Sequence, residues 1–248
     1  MMIGLQLYSV RDALQADYVG TIEQIAAMGY TSIETAGDYG AEGALPADGK
    51  RLYDAHGLRV SSAHGVLVDG RTPAQVLDTI GALGTDIFVC AWAPPDNFSS
   101  LDALRHFADE LNTFAAGLVS GGGRLAYHNH DHELHPLPDG SLPLIALLDY
   151  LDPAVLFEVD TYWVQVGGAN VVEVVTKIGT RAPLLHIKDG PGTVGGGKTA
   201  VGDGVMDFPP ILAARPAEHL IIELDDCDSD MLTAVKRSYD KLAALVTA

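Results

Sequence analysis

Eight times along the chain a short apolar run is followed by a longer amphipathic one, with brief connections and no break in composition. The short runs are MIGLQLY, SIETAG, LRVSSAHG, DIFVCAW, RLAYHNH, VLFEVDTYW, PLLHIKDG and HLIIELDD. Helical patterns follow them: TIEQIAAMGY, GKRLYDAHG, TPAQVLDTIGALG, LDALRHFADELNTFAAGLV, LPLIALLDYL, NVVEVVTKIG, FPPILAA and MLTAVKRSYDKLAALV. Gly29, Gly57, Gly84 and Gly179 stand where a helix C-terminus favours a positive φ. Near-continuous apolar strands alternating with helices imply a parallel sheet covered by helices. Eight such units in 248 residues predict one closed (β/α)8 TIM barrel, a single domain over residues 1–248. A doubly wound open sheet is the structural rival, but the first β–α junction, QLYSVRDALQ, lacks the GxGxxG fingerprint.

Composition narrows the partners. With 15 basic against 33 acidic residues the net charge is −18, which repels phosphate backbones and argues against nucleic acid. No apolar run approaches the roughly 18 residues of a membrane span. The N-terminus, MMIGLQLYSVRD, enters a strand-like run without a basic n-region or cleavage site. Cys90 and Cys227 form no CxxC pair and read as reduced thiols. The expectation is a cytoplasmic protein acting on a small molecule, with a homo-oligomer left open.

In such barrels the chemistry sits at the C-terminal ends of the strands. The polar residues there are Gln6 and Tyr8, Glu34, His64, Trp92, then His128, His130 and Glu133. Asp160 and Trp163, His186, Lys188 and Asp189, and Glu223 and Asp225 complete the rim. Any one of these alone reads as a solvated rim residue. Phase carries more weight: His128 and His130, Glu158 and Asp160, His186 and Lys188, and Glu223 and Asp225 each share a strand face. Strands five to eight thus send carboxylates and imidazoles toward one mouth, where unpaired desolvation is costly. A divalent cation compensates them, and an oxygen and nitrogen donor set without thiolate favours Mn²⁺, Co²⁺, Mg²⁺ or Zn²⁺.

YHNHDHEL, FEVDTYWVQVGG, PLLHIKDG and VGDGVMDF resemble the xylose isomerase-like TIM barrels, often called sugar phosphate isomerases/epimerases. The resemblance runs through nearly the whole chain and is strongest from Tyr127 to Glu223. It implies one divalent metal held by a strand-five Glu, a strand-six Asp, a strand-seven His and a strand-eight Glu. The matching residues are Asp160, His186 and Glu223. Strand five departs from that pattern, because His128 occupies the usual glutamate position and the nearest glutamate is Glu133. Pleat alternation points to His128. Charge balance points to Glu133, which is taken as the expected fourth ligand. His132 and His135 are expected to be loop residues without a role, and KDGPGTVGGGKTAVGDG a flexible loop over the mouth.

The implied chemistry is proton abstraction beside a carbonyl, through a metal-stabilised enediolate. Base candidates are Glu133, Glu223 and His130, with Lys188 as electrostatic or proton-donating partner. Glu34 and His64 join His130 and Lys188 in the expected catalytic set. Gln6, His128, Trp92 and Trp163 are expected to bind substrate. Isomerase or epimerase action on a sugar or keto-sugar is the leading reading. A lyase acting on an inosose or 3-keto-glycoside, and a metal-free sugar-binding barrel, are its alternatives. The acidic charge disfavours a nuclease.

Overall fold

The computed structural model describes residues 2–67, 70–214 and 217–247. The strands are β1 (Met2–Gln6), β2 (Ser32–Thr35), β3 (Arg59–Gly65), β4 (Ile87–Cys90), β5 (Arg124–His128), β6 (Leu156–Asp160), β7 (Leu184–Ile187) and β8 (His219–Ile222). Each pairs in parallel with the next, and β8 returns to β1, closing the barrel. Outside run helices α1 (Arg11–Ala16), α2 (Tyr18–Ala27), α3 (Pro46–Ala55), α4 (Pro73–Leu83), α5 (Leu101–Val119) and α6 (Pro143–Tyr150). They are followed by α7 (Thr161–Val166), α8 (Val171–Ile178), α9 (Phe208–Ala214) and α10 (Met231–Thr247). The expected eight-unit barrel is the observed one.

Local chemistry explains the boundaries. Thr72 and Gln75 exchange hydrogen bonds across the first turn of α4, Pro73 pre-sets its φ, and Gly84 ends it at φ 73°. The other three expected C-terminal glycines also take positive φ: Gly29 at 107°, Gly57 at 73° and Gly179 at 60°. Along α5, Leu104, Phe107, Leu111 and Leu118 fall on one face and pack toward β5. The strand read through Trp163 stops earlier, at Asp160. The Asp160 carboxylate accepts the Trp163 backbone N–H at 2.8 Å and so starts α7. Cap chemistry overrides the β-propensity of Thr-Tyr-Trp.

Inside the barrel the pleat divides the core into two layers. Ile87, Val89, Ala126, Leu184 and Ile221, with Leu156 against them, form a dry plug toward the N-terminal ends. Two residues further along β5, β6, β7 and β8 the same inward face carries His128, Glu158, His186 and Glu223, all buried. The plug closes that end, so these polar groups open toward one mouth only. No helix among the described residues is long and apolar enough to cross a membrane.

Candidate metal centre

Four donors meet at the mouth. One atom each from His128, Asp160, His186 and Glu223 lies within 4.8 Å of the others, and all four residues are buried. Asp160 Oδ2 is 3.9 Å from His128 Nε2 and 4.0 Å from His186 Nδ1, and Glu223 Oε2 is 2.8 Å from His186 Nδ1. Asp160 Oδ2, Glu223 Oε2 and His186 Nδ1 are inaccessible to solvent and make no well-directed hydrogen bond. Lys188 Nζ approaches the two carboxylates from the side, 3.0 Å from Asp160 and 2.7 Å from Glu223. Two imidazoles in their neutral form and two carboxylates, converging without well-directed hydrogen bonds among them, fit a divalent cation of borderline hardness.

A second polar layer lies directly beneath. Glu158 Oε2 is 2.5 Å from His64 Nε2, 3.1 Å from His128 Nδ1 and 3.2 Å from His186 Nε2. Beside it Glu34 accepts from Gln6 Nε2 at 2.7 Å, from Ser62 Oγ at 2.5 Å and faces His186 Nε2 at 2.8 Å. Burial and the neighbouring Glu158 carboxylate push Glu34 upward. Burial also works against the Glu158 anion, but His186 and His64 outweigh it and hold that carboxyl well below its usual range. His64, His128, Glu158 and His186 form another group close enough to surround a cation.

Electrostatics assign states to the rim. Burial raises Asp160 to about 6 against the pull of Lys188. Lys188 loses hydration by burial, yet Asp160, Glu223 and Asp225 keep it charged. Burial and then Lys188 depress His130 to about 4, so its ring is neutral near pH 7. His130 Nδ1 has no hydrogen-bond partner, and its residue lines an open cavity of ≈ 610 Å³. Tyr8, Trp92 and Trp163 supply aromatic walls to that cavity. Its size lies within the usual range for small-molecule sites.

The expected site residues do not all converge. Glu133 is buried but turned away: one oxygen accepts from Tyr127 Oη at 2.6 Å and the other from the His130 backbone N–H at 2.9 Å. It belongs to neither of the two donor groups, whereas His128 belongs to both. The reason is local. Strand β5 ends at His128, and Glu133 sits in a short 3-10 turn, His132–Leu134, packed over Tyr127. Gln6 also lies below the mouth, fully buried and engaged by Glu34 and the Tyr8 backbone. Trp92 and Trp163 reach the cavity. His135 is exposed beside Asp131, and His132 stacks on His130 at 5.8 Å.

The model of the xylose isomerase-like TIM barrel family matches residues 22–214, well over half of the chain. The chain belongs to that family. Among solved structures it is similar to a sugar phosphate isomerase/epimerase from Parabacteroides distasonis, at 26% identity and a TM-score of 0.85. That likeness covers 98% of this chain and 94% of the other. The probable 3-DHS dehydratase AsbF of Bacillus anthracis shares the fold at 13% identity and a TM-score of 0.76, over 98% of this chain and 99% of that one. IolI, solved with a bound zinc atom, shares it at 13% identity and a TM-score of 0.79, over 100% and 98%. A comparison with curated proteins finds no match.

Two residues near the mouth, Glu158 and Lys198, have no role in the sequence-based expectation. Glu158 shares the strand face of Asp160, and that phase is the signal that marks it. Lys198 is buried, with Nζ 4.7 Å above the Trp163 ring and 3.5 Å from Asp225. A single lysine within a glycine-rich tract carries no periodicity to reveal it. The loop holding it is also tied down. The Asp189 carboxylate accepts backbone N–H groups from Gly190, Gly202, Gly204 and Met206 at 2.8–3.1 Å.

Proposed function

We propose that the protein is a divalent-metal-dependent isomerase or epimerase of a sugar or keto-sugar. The convergence of His128, Asp160, His186 and Glu223, with buried oxygens lacking directed partners, carries this reading. The likeness to a sugar phosphate isomerase/epimerase supports the reaction class, and the zinc in IolI supports a metal in this fold. His128 replaces the expected Glu133 as the strand-five ligand in this reading, because only His128 faces the other donors. Mn²⁺, Co²⁺, Mg²⁺ and Zn²⁺ all suit the set. When bound, the cation supplies Lewis-acid polarisation of a carbonyl and stabilises the enediolate left by proton loss.

The chain's own residues supply the rest. His130, neutral and lining the cavity, takes a proton from carbon. Lys188, kept charged between Asp160 and Glu223, stabilises developing negative charge and returns a proton. Tyr8, Trp92 and Trp163 cover apolar sugar faces, and Asp225 accepts hydrogen bonds from hydroxyl groups. Glu34 and His64, expected in the catalytic set, act from the layer below. The same proton abstraction followed by loss of a β-hydroxyl gives a lyase, and the shared fold of a dehydratase favours this as the second reading. The two free thiols, Cys90 and Cys227, accord with a cytoplasmic setting.

Incubating the Mn²⁺-loaded protein with keto-sugars and inososes in D₂O tests the proposal. Deuterium incorporation beside the carbonyl is expected for at least one substrate and is to be lost in His130→Gln. No incorporation from any of the panel counts against proton abstraction.

A further inference from the structure

His128 and Glu158 face each other in register across β5 and β6, one layer below Asp160. A neutral imidazole donates through one nitrogen and accepts through the other, so its partner on one side decides what it offers on the other. The Nδ1 edge of His128 is 3.1 Å from Glu158 Oε2, and its Nε2 edge is 3.9 Å from Asp160 Oδ2. His186 has the corresponding arrangement. Its Nε2 faces Glu34 at 2.8 Å and Glu158 at 3.2 Å, and its Nδ1 faces Glu223 at 2.8 Å.

The two possible donor groups therefore use opposite nitrogens of the same two rings. A ring binds a cation only in its neutral form, which has one lone pair and so serves one group at a time. In the lower group Glu158 Oε2 and His64 Nε2 already bond at 2.5 Å and His186 Nε2 bonds Glu34 at 2.8 Å, so among these facing atoms only His128 Nδ1 lacks a well-directed hydrogen bond. The upper group lines the cavity through His128 and Glu223, as the lower does through His64 and His128, but the upper carboxylates retain undirected oxygens.

We propose that Glu158 is a positioning residue, not a ligand. It holds His128 as the Nδ1–H tautomer, so that the Nε2 lone pair points to the mouth beside Asp160, His186 and Glu223. The part concerning metal rests on the proposed metal centre; the tautomer does not. An anion under a ligating imidazole fixes the ring and raises its donor strength, and loss of such partners typically weakens metal affinity about 10–100-fold. Here Glu158 returns through His128 a negative charge that strand five does not itself supply. Gln at position 158 would have one acceptor oxygen and no charge for three surrounding rings.

Imidazole ¹⁵N–¹H correlation spectra of the metal-free protein at pH 8, combined with Mn²⁺ titration, test this. Wild type is expected to show His128 as Nδ1–H, and Glu158→Gln a mixture of tautomers with about 10–100-fold weaker Mn²⁺ binding at unchanged stoichiometry. If Glu158→Gln loses its fold, Glu158→Asp, with its carboxylate drawn back, is expected to give the same mixture. A wild-type Nε2–H tautomer at His128 overturns the proposal, as does an unchanged tautomer in both variants. Abolished Mn²⁺ binding in Glu158→Gln with binding retained in Asp160→Ala and Glu223→Gln would make Glu158 a ligand instead. Failure of wild type to bind Mn²⁺ defeats the metal centre and the affinity effect, leaving the spectrum to decide the tautomer.

Discussion

Glu133 is a residue whose chemistry is set by burial. Loss of solvent lifts its carboxyl to about 7, against hydrogen bonds from Tyr127 and the His130 backbone. The folded state thus holds a proton that the unfolded chain releases near pH 4.5. The resulting stabilisation is fully present below about pH 4.5 and is lost as pH rises through about 7. Its size is at most about 3 kcal/mol from the shift in pKa. Glu133→Gln keeps the shape, an acceptor for His130 N–H and a donor for Tyr127, and does not titrate. Urea unfolding of the metal-free proteins at pH 5 and pH 8 is expected to show wild type losing about 1–3 kcal/mol more than the variant. Equal losses would mean that Glu133 is ionised throughout. Reading this residue from sequence set charge balance against pleat alternation, and alternation prevailed at the mouth. The deciding fact, that Tyr127 points away from the barrel and claims Glu133, is a packing relation that one strand's pattern does not contain.

At the scale of elements, the β7–α9 loop stands out. Its glycine content reads as flexibility, yet Asp189 gathers four of its backbone donors and an antiparallel bridge joins Asp189 to Thr199. Gly204 is required there, because an added Cβ would lie 2.1 Å from the Asp189 carboxylate. Removing the acceptor leaves buried donors unsatisfied. Asp189→Ala is expected to cost about 2–4 kcal/mol and to open the loop to limited proteolysis between residues 190 and 207. A variant as resistant as wild type would show that the loop is held by other contacts. Element identity was far more legible than such tertiary ties. All eight strands and the four glycine helix ends followed from local period and backbone freedom. Most of the apolar runs outreach their strands by two to four residues, and that of strand six enters α7 because Asp160 serves both as barrel end and helix cap.

For the whole molecule, closure of the barrel turns eight separate strand ends into one site. Residues as distant in sequence as Glu34 and His186 come within 2.8 Å. Parallel register, with His128 opposite Glu158 and Asp160 opposite His186, stacks the site in two layers over an apolar plug. The upper layer was foreseeable from phase at the strand ends, while the lower one required knowing which rings would share an anion. In the proposed centre His128, Asp160, His186 and Glu223 hold one divalent ion and Glu133 does not. Mn²⁺ titration calorimetry of wild type, Asp160→Ala, His186→Ala, His128→Gln and Glu133→Gln tests this assignment directly. One site is expected in wild type and in Glu133→Gln with affinities within about threefold, a difference of about 0.7 kcal/mol. Asp160→Ala and His186→Ala should lose tight binding, and His128→Gln should bind at least about tenfold more weakly, or about 1.4 kcal/mol. Full affinity in His128→Gln together with loss in Glu133→Gln would contradict the account.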